Sequence, residues 1–415
     1  MNIEELIIQA ESELQDTFDQ IEQNEEIRTK QILEAFRKEK VSYRHFAPST
    51  GYGYDDIGRD TIERIYASVF HTEAALMRPH VASGTAALSL TLSGMTRPGD
   101  QIISATGLPY DTLHGVIGIG NRKTPGSLKE MGVSFDSVEL KNGRIDSEAV
   151  ENAITEHTTL IIAQRSRGYA WRPSLYPEDF RELAQMIHSR HPDIKLMVDN
   201  CYGEFVCRDE PTDYGADLCV GSLIKNPGGG IAPSGGYIAG SKEDIERIAG
   251  RLTAPGLGRE IGSYEASYRP YYQGLFMAPH TVSQALKTAL LASKIFERFG
   301  MKTSPSSDER RADIIQAIQM QEPQRLVAFC QGIQSVSPVD SMALPEPWDM
   351  PGYDDQVVMA AGTFVAGASI ELSADGPMRP PYTAYMQGGL TYVHGRIAMA
   401  EALKRMIANG SLQGT

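Results

Sequence analysis

The sequence predicts an α/β protein in which helices cover both faces of a mostly parallel sheet. From about residue 61 to 250, short runs of strand-forming residues alternate with longer segments of helical periodicity. This alternation is typical of βαβ units, because a helix usually connects two parallel strands. A polar helical segment precedes these units and a second α/β segment follows them. We therefore expect an N-terminal helical arm, a large central domain and a smaller C-terminal domain.

The first predicted region, residues 1–60, is a helical arm followed by a loop. Leu14, Phe18 and Ile21 recur at helical spacing among many Glu, Gln, Lys and Arg residues. This narrow apolar stripe suits packing on the body of the protein or on a second subunit, and a mostly solvated helix is the alternative. Residues 43–60 are rich in Gly, Tyr and Asp and are predicted to form a loop that could hold site residues.

The second region, residues 61–280, is the predicted large domain. Its candidate strands are 102–107, 133–140, 159–164, 194–200, 216–222 and 236–240. Segment 177–192 is a candidate helix. It has acidic residues near its N-terminus and basic residues near its C-terminus, an arrangement that the helix dipole favours. Because ligands of such sheets bind outside the carboxyl ends of the strands, we expect functional residues just after them.

The third region, residues 281–415, is the predicted smaller domain. It starts with a long helical segment at 281–300, has candidate strands near 357–367 and 369–375, and ends with a helix near 395–408. Since both kinds of element are present, we expect a second α/β unit here.

The composition and charge narrow the class of ligand. The 415 residues include 39 Lys and Arg against 53 Asp and Glu, which gives a formal charge of −14. Without a run of cations, nucleic acid and anionic membranes are not the expected partners, and small ligands remain open. The four cysteines lack metal-site spacing, and neither an apolar run of about 18 residues nor a signal peptide is recognisable. We expect a cytoplasmic protein without a metal.

Three polar clusters stand beside the predicted strands. The segment Ser83–Thr85 precedes a helical run, where free backbone N–H groups could hold a phosphate, although a plain helix cap is the alternative. Asp199 ends one strand and is either a cap or a functional acid. Ser222 ends the next strand, and Lys225 follows it. A lysine just past an apolar strand is uncommon in a purely structural role, because burying an ammonium group is costly.

Pyridoxal 5′-phosphate (PLP) explains the three clusters together. This cofactor needs an amine for a Schiff base, an acid beside its pyridine nitrogen and an anion cradle for its phosphate. Lys225, Asp199 and Ser83–Thr85 meet these needs in turn. Beside a cationic ring, we expect the pKa of Lys225 to fall below the value of ~10.4 of free lysine.

Longer motifs in the same order resemble a known family. SGTAAL, LPYDTL, VDNCYGEF and SLIKN are similar to motifs of fold-type I PLP-dependent enzymes, in the cysteine and methionine metabolism group of cystathionine lyases and methionine γ-lyase. GYGYDDIGRD, KNPGGGIAP and QGGLTYVHGR resemble the branch described as cystathionine β-lyase or aluminium-resistance protein. The likeness runs from about residue 45 to 400, and its motifs are more specific for PLP than for the reaction.

The resemblance implies roles for individual residues around the cofactor ring. Lys225 would form the Schiff base and move the Cα proton, and Asp199 would pair with the pyridine nitrogen. Tyr110 would stack on the ring and assist the leaving group, with an ordinary turn aromatic as the alternative. Arg379 would bind the substrate α-carboxylate through two parallel hydrogen bonds, with a surface loop arginine as the alternative.

The resemblance also implies a phosphate site that two subunits share. Its residues within one chain would be Ser83, Gly84, Thr85 and Ser222. Tyr54 resembles a tyrosine that reaches the phosphate of a neighbouring subunit. A homo-oligomer follows, with active sites shared in a dimer and a tetramer as the expected assembly.

Two departures from the family pattern affect the details. Asp56 stands where the family usually has an arginine after its N-terminal tyrosine, and Arg59 is the candidate substitute. The segment 164–174 differs from the family element, and we expect its Arg165, Arg167, Trp171 and Arg172 to face the substrate side. Lys225 also follows Ser222 by three residues, where two is common, so substrate preference and phosphate geometry cannot be copied from the family.

The expected activity is that of a PLP-dependent carbon–sulfur lyase. The substrate would be a sulfur-containing amino acid such as cystathionine, cysteine or methionine, and the products a thiol, a 2-oxo acid and ammonia. The alternatives are a PLP aminotransferase or side-chain exchange enzyme on the same fold, or a PLP-binding protein with a sensing role, because a scaffold does not fix a reaction.

Overall fold

The structure is a computed structural model that describes residues 2–120, 124–350 and 355–412, and it confirms the predicted α/β class. The helices are α1 (Ile3–Lys38), α2 (Ile57–Val69), α3 (Gly84–Met95), α4 (Asp111–Ile117), α5 (Ser147–Ala153), α6 (Arg181–Arg190), α7 (Lys242–Leu252), α8 (Arg269–Arg298), α9 (Pro323–Ser335) and α10 (Tyr392–Ala408). The strands are β1 (Ala74–Arg78), β2 (Gln101–Ser104), β3 (Ser134–Ser137), β4 (Thr158–Gln164), β5 (Lys195–Asp199), β6 (Leu218–Ser222), β7 (Gly236–Gly240), β8 (Thr303–Ser304), β9 (Gln316–Gln319), β10 (Val357–Ala360), β11 (Ser373–Pro377) and β12 (Thr383–Gln387).

The central sheet contains seven strands within the described residues, in the order β1-β7-β6-β5-β4-β2-β3. β7 is antiparallel to both of its neighbours, and the other pairs are parallel, so the mostly parallel sheet is confirmed. The six predicted strands correspond to β2–β7. The sequence does not predict β1, because AALMR lacks β-branched residues and favours a helix. Its burial on both sides in the sheet overrides that preference.

Each face of the sheet packs against its own set of helices. α3 and α7 lie on one face, and α2, α6 and α8 lie on the other. Successive strand residues point to opposite faces, so Met197 belongs to the first core and Val198 to the second. Burial on both faces explains why these strands are nearly continuous hydrophobic runs.

The strand register aligns the polar residues that end the parallel strands. Gln164 of β4 pairs with Asp199 of β5, which in turn pairs with Val220 of β6. Ser222 ends β6 two residues later, and Lys225 follows. The functional residues predicted from separate segments are therefore neighbours at one edge of the sheet.

The N-terminal arm is a single helix that packs on the body of the protein. Ile7 and Ala10 of α1 join the core around the end of α8, while Leu14 and Phe18 contact Leu290. The apolar stripe is buried, which excludes the mostly solvated alternative.

Two predicted boundaries are wrong. The loop predicted for 43–60 ends early, because Asp56 accepts hydrogen bonds from the N–H groups of Gly58 and Arg59, both at 3.0 Å, and starts α2. The helix predicted for 281–300 starts at Arg269 instead. Pro279 lies inside α8, where burial of the residues around it maintains the helix despite the missing N–H donor.

The C-terminal residues form a second, antiparallel sheet in the order β10-β11-β12-β9-β8. α9, α10 and the end of α8 cover it with a separate core. The sequence predicts β10, β11 and α10, but not β8, β9, β12 or α9, which are short or have weak periodicity. Among the described helices, none is long and apolar enough to cross a membrane.

A buried ion pair connects the arm to the edge of the sheet. The Glu210 carboxylate accepts a hydrogen bond from Arg28 of α1 at 2.6 Å, and both side chains are 0% exposed. It also accepts hydrogen bonds from the Asn200 side chain and the Phe205 N–H, both at 3.0 Å. Glu210 therefore satisfies donors from both the arm and the turn that follows β5.

We expect Glu210→Ala to lower the free energy of unfolding by about 3–5 kcal/mol, because it leaves the Arg28 guanidinium buried without its partner. Urea denaturation measures this loss. Glu26→Ala is the matched control, because its pair with Lys30 on the same arm leaves Glu26 65% exposed, and its denaturation midpoint should equal that of the wild type. Equal midpoints for both variants would contradict the assigned role of Glu210.

Candidate active site

A cavity of about 120 Å³ lies at the carboxyl ends of β4, β5 and β6. It contains Gly84, Thr85, Tyr110, Asp199 and Lys225, which the sequence predicts as site residues. The rest of the described lining is Leu88, Thr112, Leu113, Gln164, Ser166, Gly168, Tyr169, Cys201, Tyr202, Ile315, Asp375, Tyr385 and Gln387. Five separately predicted residues thus meet in one place.

The predicted phosphate cradle lies between the start of α3 and the end of β6. Ser83 caps α3 by accepting a hydrogen bond from the Ala86 N–H at 3.1 Å. A side chain at Gly84 would start 3.0 Å from the Ser222 Cβ, so only glycine leaves this space open. The Ser222 hydroxyl is buried without a hydrogen-bond partner in the described residues. A buried unpaired hydroxyl beside a helix N-terminus fits a bound phosphate.

Asp199 is placed to bind a cationic ring nitrogen. Its Oδ1 accepts a hydrogen bond from the Cys201 N–H at 3.1 Å, which orients the carboxylate. Desolvation raises the pKa of Asp199, while Lys225 and Cys201 oppose the rise. A desolvated carboxylate is stabilised by a nearby cation, so the site suits a protonated pyridine.

Lys225 lies on the face of an aromatic ring. Its Nζ is 4.0 Å from the centre of the Tyr202 ring. Desolvation lowers the pKa of Lys225, but the surrounding groups, with Cys201 and Tyr202 first, outweigh it and raise that pKa above its usual value. The expected lowering is therefore not produced by the chain itself. It requires the positive charge of a pyridinium ring, which these side chains do not supply.

Tyr110 is positioned by the end of β4. Its N–H donates to the Gln164 Oε1 at 2.8 Å, and its ring meets the Tyr169 ring edge-on at 6.3 Å between centroids. Gly168 lies close to the same ring, because a Cβ there would be 3.3 Å from it. Tyr110 is therefore held in the cavity wall by specific contacts, as the stacking role requires.

Several cavity residues were missed by sequence reasoning. Gln164 and Tyr202 had a usable signal, because each stands at or just after the carboxyl end of a predicted strand. Tyr202 also has a φ of 73°, which is strained for a bulky residue, and such strain is a feature of many functional sites. Asp375 and Tyr385 come from the second sheet and have no local signal in the sequence.

Two predicted site residues lie outside the cavity. Tyr54 is 58% exposed and stacks on Tyr52 with ring centroids 5.5 Å apart. Arg379 donates to Asp355 at 2.8 Å and lines a depression next to the cavity, together with Tyr110 and Tyr169. Within one chain, Arg379 is near the substrate side and Tyr54 is on the surface.

The candidate substitute for the missing phosphate arginine is used elsewhere. Arg59 is 1% exposed, and its guanidinium donates to the carbonyls of Gly53 at 2.9 Å and Glu260 at 3.3 Å, and to the Asp60 carboxylate at 2.8 Å. It therefore anchors the loop that contains Tyr54 and does not replace the family arginine.

The predicted orientation of the arginine segment is wrong for Arg165. Its guanidinium points into the core and donates to Asn200 at 2.7 Å and to the Leu175 carbonyl at 3.1 Å. Arg172 donates to the carbonyls of Gln164 and Ser166 and borders the depression that Arg379 lines. Arg167 borders the same depression but is 1% exposed, so this segment serves the substrate side only in part.

The fold and the site together define a fold-type I PLP-dependent enzyme: a lysine, an acid, a tyrosine and an anion cradle meet at the carboxyl edge of a mostly parallel sheet. Residues 3–407 match the methionine gamma-lyase family, and the chain belongs to it. This confirms the predicted family and, with it, PLP as the cofactor.

Similar proteins include two that match nearly the whole chain and one that matches about half of it. A Clostridium novyi protein described as a carbon-sulfur lyase involved in aluminum resistance is 48% identical, with a TM-score of 0.94 and coverage of 97% of this chain and 96% of that one. YnbB of Bacillus subtilis is 48% identical over 96% of this chain and 95% of its own length. L-methionine gamma-lyase of Treponema denticola is 25% identical over 56% of this chain and 54% of its own length. These findings support a PLP-dependent carbon–sulfur lyase.

We expect Ser222→Ala to weaken PLP binding about tenfold, by roughly 1.5 kcal/mol, because the phosphate loses one hydrogen bond. The thermal stability of the cofactor-free protein should not change, since this hydroxyl has no partner within the chain. Spectroscopic PLP titration and a thermal melt measure the two effects. Ser283→Ala removes another buried, unpaired hydroxyl, within α8, and should leave PLP affinity intact. Equal affinities of both variants would contradict the cradle.

Proposed function

We propose that this protein cleaves a carbon–sulfur bond in an amino acid such as cystathionine, cysteine or methionine. The observation that supports this most directly is the placement of Lys225, Asp199 and Tyr110 around one cavity beside an unpaired phosphate donor. The family and the lyase descriptions of similar structures point to the same reaction.

Lys225 is the proposed base. When bound, PLP withdraws electrons from the substrate Cα–H bond and so makes that proton acidic. Lys225 would hold PLP in the resting enzyme, and in the presence of substrate its Nζ would be the group that accepts the Cα proton. The Tyr202 ring, 4.0 Å from Nζ, limits the directions that the amine can take. Lys225 therefore moves the proton within a restricted volume.

Asp199 and Tyr110 have complementary proposed roles. Asp199 would pair with the pyridine nitrogen of PLP and favour its protonated form. Tyr110 packs against the ring and presents its hydroxyl as a proton donor to the departing sulfur. The hydrogen bond from its N–H to Gln164 fixes the start of the loop that presents it.

Arg379 is the proposed anchor for the substrate α-carboxylate. It lines the depression that shares Tyr110 and Tyr169 with the cavity, and its partner Asp355 is 36% exposed. A substrate carboxylate that forms two parallel hydrogen bonds with this guanidinium can therefore replace a solvent-accessible partner at small cost.

The test starts with the cofactor. Purified protein should be yellow, and borohydride should fix a pyridoxyl group on Lys225, as peptide mass spectrometry will show. Lys225→Ala should lose both this label and product formation. Lys195→Ala, at a partly exposed lysine in β5, should keep both and serves as the control. A colourless protein, or a label on another lysine, would disprove the PLP assignment to Lys225.

A substrate panel then tests the reaction. Holoenzyme incubated with cystathionine, cysteine and methionine should release a thiol and a 2-oxo acid from at least one of them. A yellow protein that releases neither, but exchanges amino groups with 2-oxo acids, would replace the lyase proposal with transamination. Product formation from cysteine would indicate β-elimination, and product formation from methionine would indicate γ-elimination.

We further propose a homo-oligomer in which Tyr54 completes the phosphate site of a neighbouring subunit. Tyr54 is exposed and lies outside the cavity of its own chain. Tyr52, which stacks on Tyr54, is itself 64% exposed, so the two rings form an exposed aromatic pair. An aromatic surface that a second copy covers accounts for both features.

Mixing two inactive variants tests the shared site. Lys225→Ala and Tyr54→Ala homo-oligomers should each have little activity. After co-expression, hybrid dimers contain one site with an intact Lys225 and an intact Tyr54 from the partner, so roughly a quarter of wild-type activity should return. No recovery would show that Tyr54 acts within its own chain or not at all.

A further inference from the structure

A second cavity lies outside the active site, between residues 167–176 and residues 304–312. Its volume is about 390 Å³, which is within the range of ~300–1,000 Å³ typical of small-molecule pockets. Arg167, Arg172 and Arg310 line it, together with the aromatic rings of Trp171 and Tyr176. We call it the arginine cavity.

Arg167 is a buried cation without a hydrogen-bonded partner. Its side chain is 1% exposed, and within the described residues none of its three guanidinium nitrogens donates a hydrogen bond. The neighbouring Arg311 has two further nitrogens, Nε and Nη1, in the same state. Burying unpaired guanidinium groups is costly, so native structures normally supply an anion for them.

Three arginines near the cavity depend on the same carboxylate for charge compensation. The Asp313 carboxylate is the leading electrostatic partner of Arg167, Arg172 and Arg311. Its Oδ1 accepts from the Ile315 N–H at 3.1 Å and its Oδ2 from the Ser174 hydroxyl, and within the described residues none of the three guanidinium groups donates to it. Desolvation lowers the pKa of all three arginines, to about 10 for Arg172 and for Arg311.

The other charged groups on the wall are engaged. Arg310 donates to Glu178 at 2.5 Å and stacks on the Tyr176 ring at 4.4 Å. Glu309, the acid on this wall, accepts a hydrogen bond from the Ser306 N–H at 2.7 Å. Arg167 therefore differs from Arg310, because it lines a cavity large enough for a ligand but has no hydrogen-bonded partner within the described residues.

We propose that the arginine cavity binds a small oxyanion, a carboxylate or a phosphate, through the guanidinium of Arg167. Planar guanidinium groups bind both kinds of oxyanion through paired hydrogen bonds. Arg167 also lines the depression that contains Tyr110, Tyr169 and Arg379. An anion bound to Arg167 in the arginine cavity would therefore also hold Arg167 in place in the depression, which is the proposed substrate entrance. This site is separate from the proposed phosphate cradle of PLP.

The test uses one of the two tryptophans as a reporter. Trp171 lines the cavity, and Trp348→Phe leaves it as the single tryptophan of the chain. PLP-loaded protein keeps the phosphate cradle filled while inorganic phosphate, malonate or chloride is added at constant ionic strength. Phosphate or malonate should change Trp171 fluorescence in a saturable manner and raise the melting temperature by about 2 °C near tenfold saturation, whereas chloride should do neither.

Arg167→Gln in the Trp348→Phe background should abolish both responses. It should not lower the melting temperature without anion, because it removes an unpaired buried charge. Arg190→Gln is the control, since that arginine is 63% exposed and pairs with Glu151 away from the cavity, and it should keep both responses. Preference between phosphate and malonate identifies the kind of oxyanion. The proposal would be overturned if the protein with Arg167 intact showed no saturable response to phosphate or malonate, a result that needs no Arg167 variant. It would also be overturned if the Arg167→Gln protein gave the same response.

Discussion

The buried carboxylate of Glu210 is the contact on which the geometry of the site most depends. It satisfies Arg28 from the N-terminal helix and Asn200 from the turn after β5 at the same time. Because Asn200 directly follows Asp199, the acid beneath the proposed pyridine nitrogen cannot shift without disturbing a fully buried ion pair. The arm, which contributes no residue to the described lining of the cavity, thereby influences the position of Asp199, the proposed partner of the pyridine nitrogen.

The same carboxylate supports a strained turn. Tyr202 and Phe205 both have positive φ angles, of 73° and 63°, which cost energy for residues with bulky side chains. The Phe205 N–H donates to Glu210 at 3.0 Å, so the ion pair holds the turn in this conformation. The consequence is functional, since the strained backbone at Tyr202 places its ring against the amine of Lys225. The buried ion pair of Glu210 thus helps to hold the Tyr202 ring in the position that restricts the Lys225 amine.

The sequence predicts the parts of the site that depend on local order along the chain. Asp199 and Lys225 are recognisable because an apolar strand precedes each of them, and the parallel register then brings the strand ends together without further information. Tyr385 is not recognisable, because it reaches the cavity only through the packing of a second sheet. The orientation of Arg165 fails for the same reason: its partners Asn200 and Leu175 are defined by tertiary contacts, not by its position after β4.

Because the net charge is −14, this protein must bind anions through local contacts and not through its overall charge. Long-range attraction is not available to an acidic chain, and at physiological salt exposed charges act only within ~8 Å. Binding must therefore rest on donors that are already desolvated and oriented. The Ser222 hydroxyl meets this requirement without charge, and the Arg167 guanidinium meets it with charge, both buried and both without partners in the described chain. These two donors each border a cavity or a helix N-terminus that can admit an anion, and a ligand that binds there would offset the cost of burying an unpaired donor.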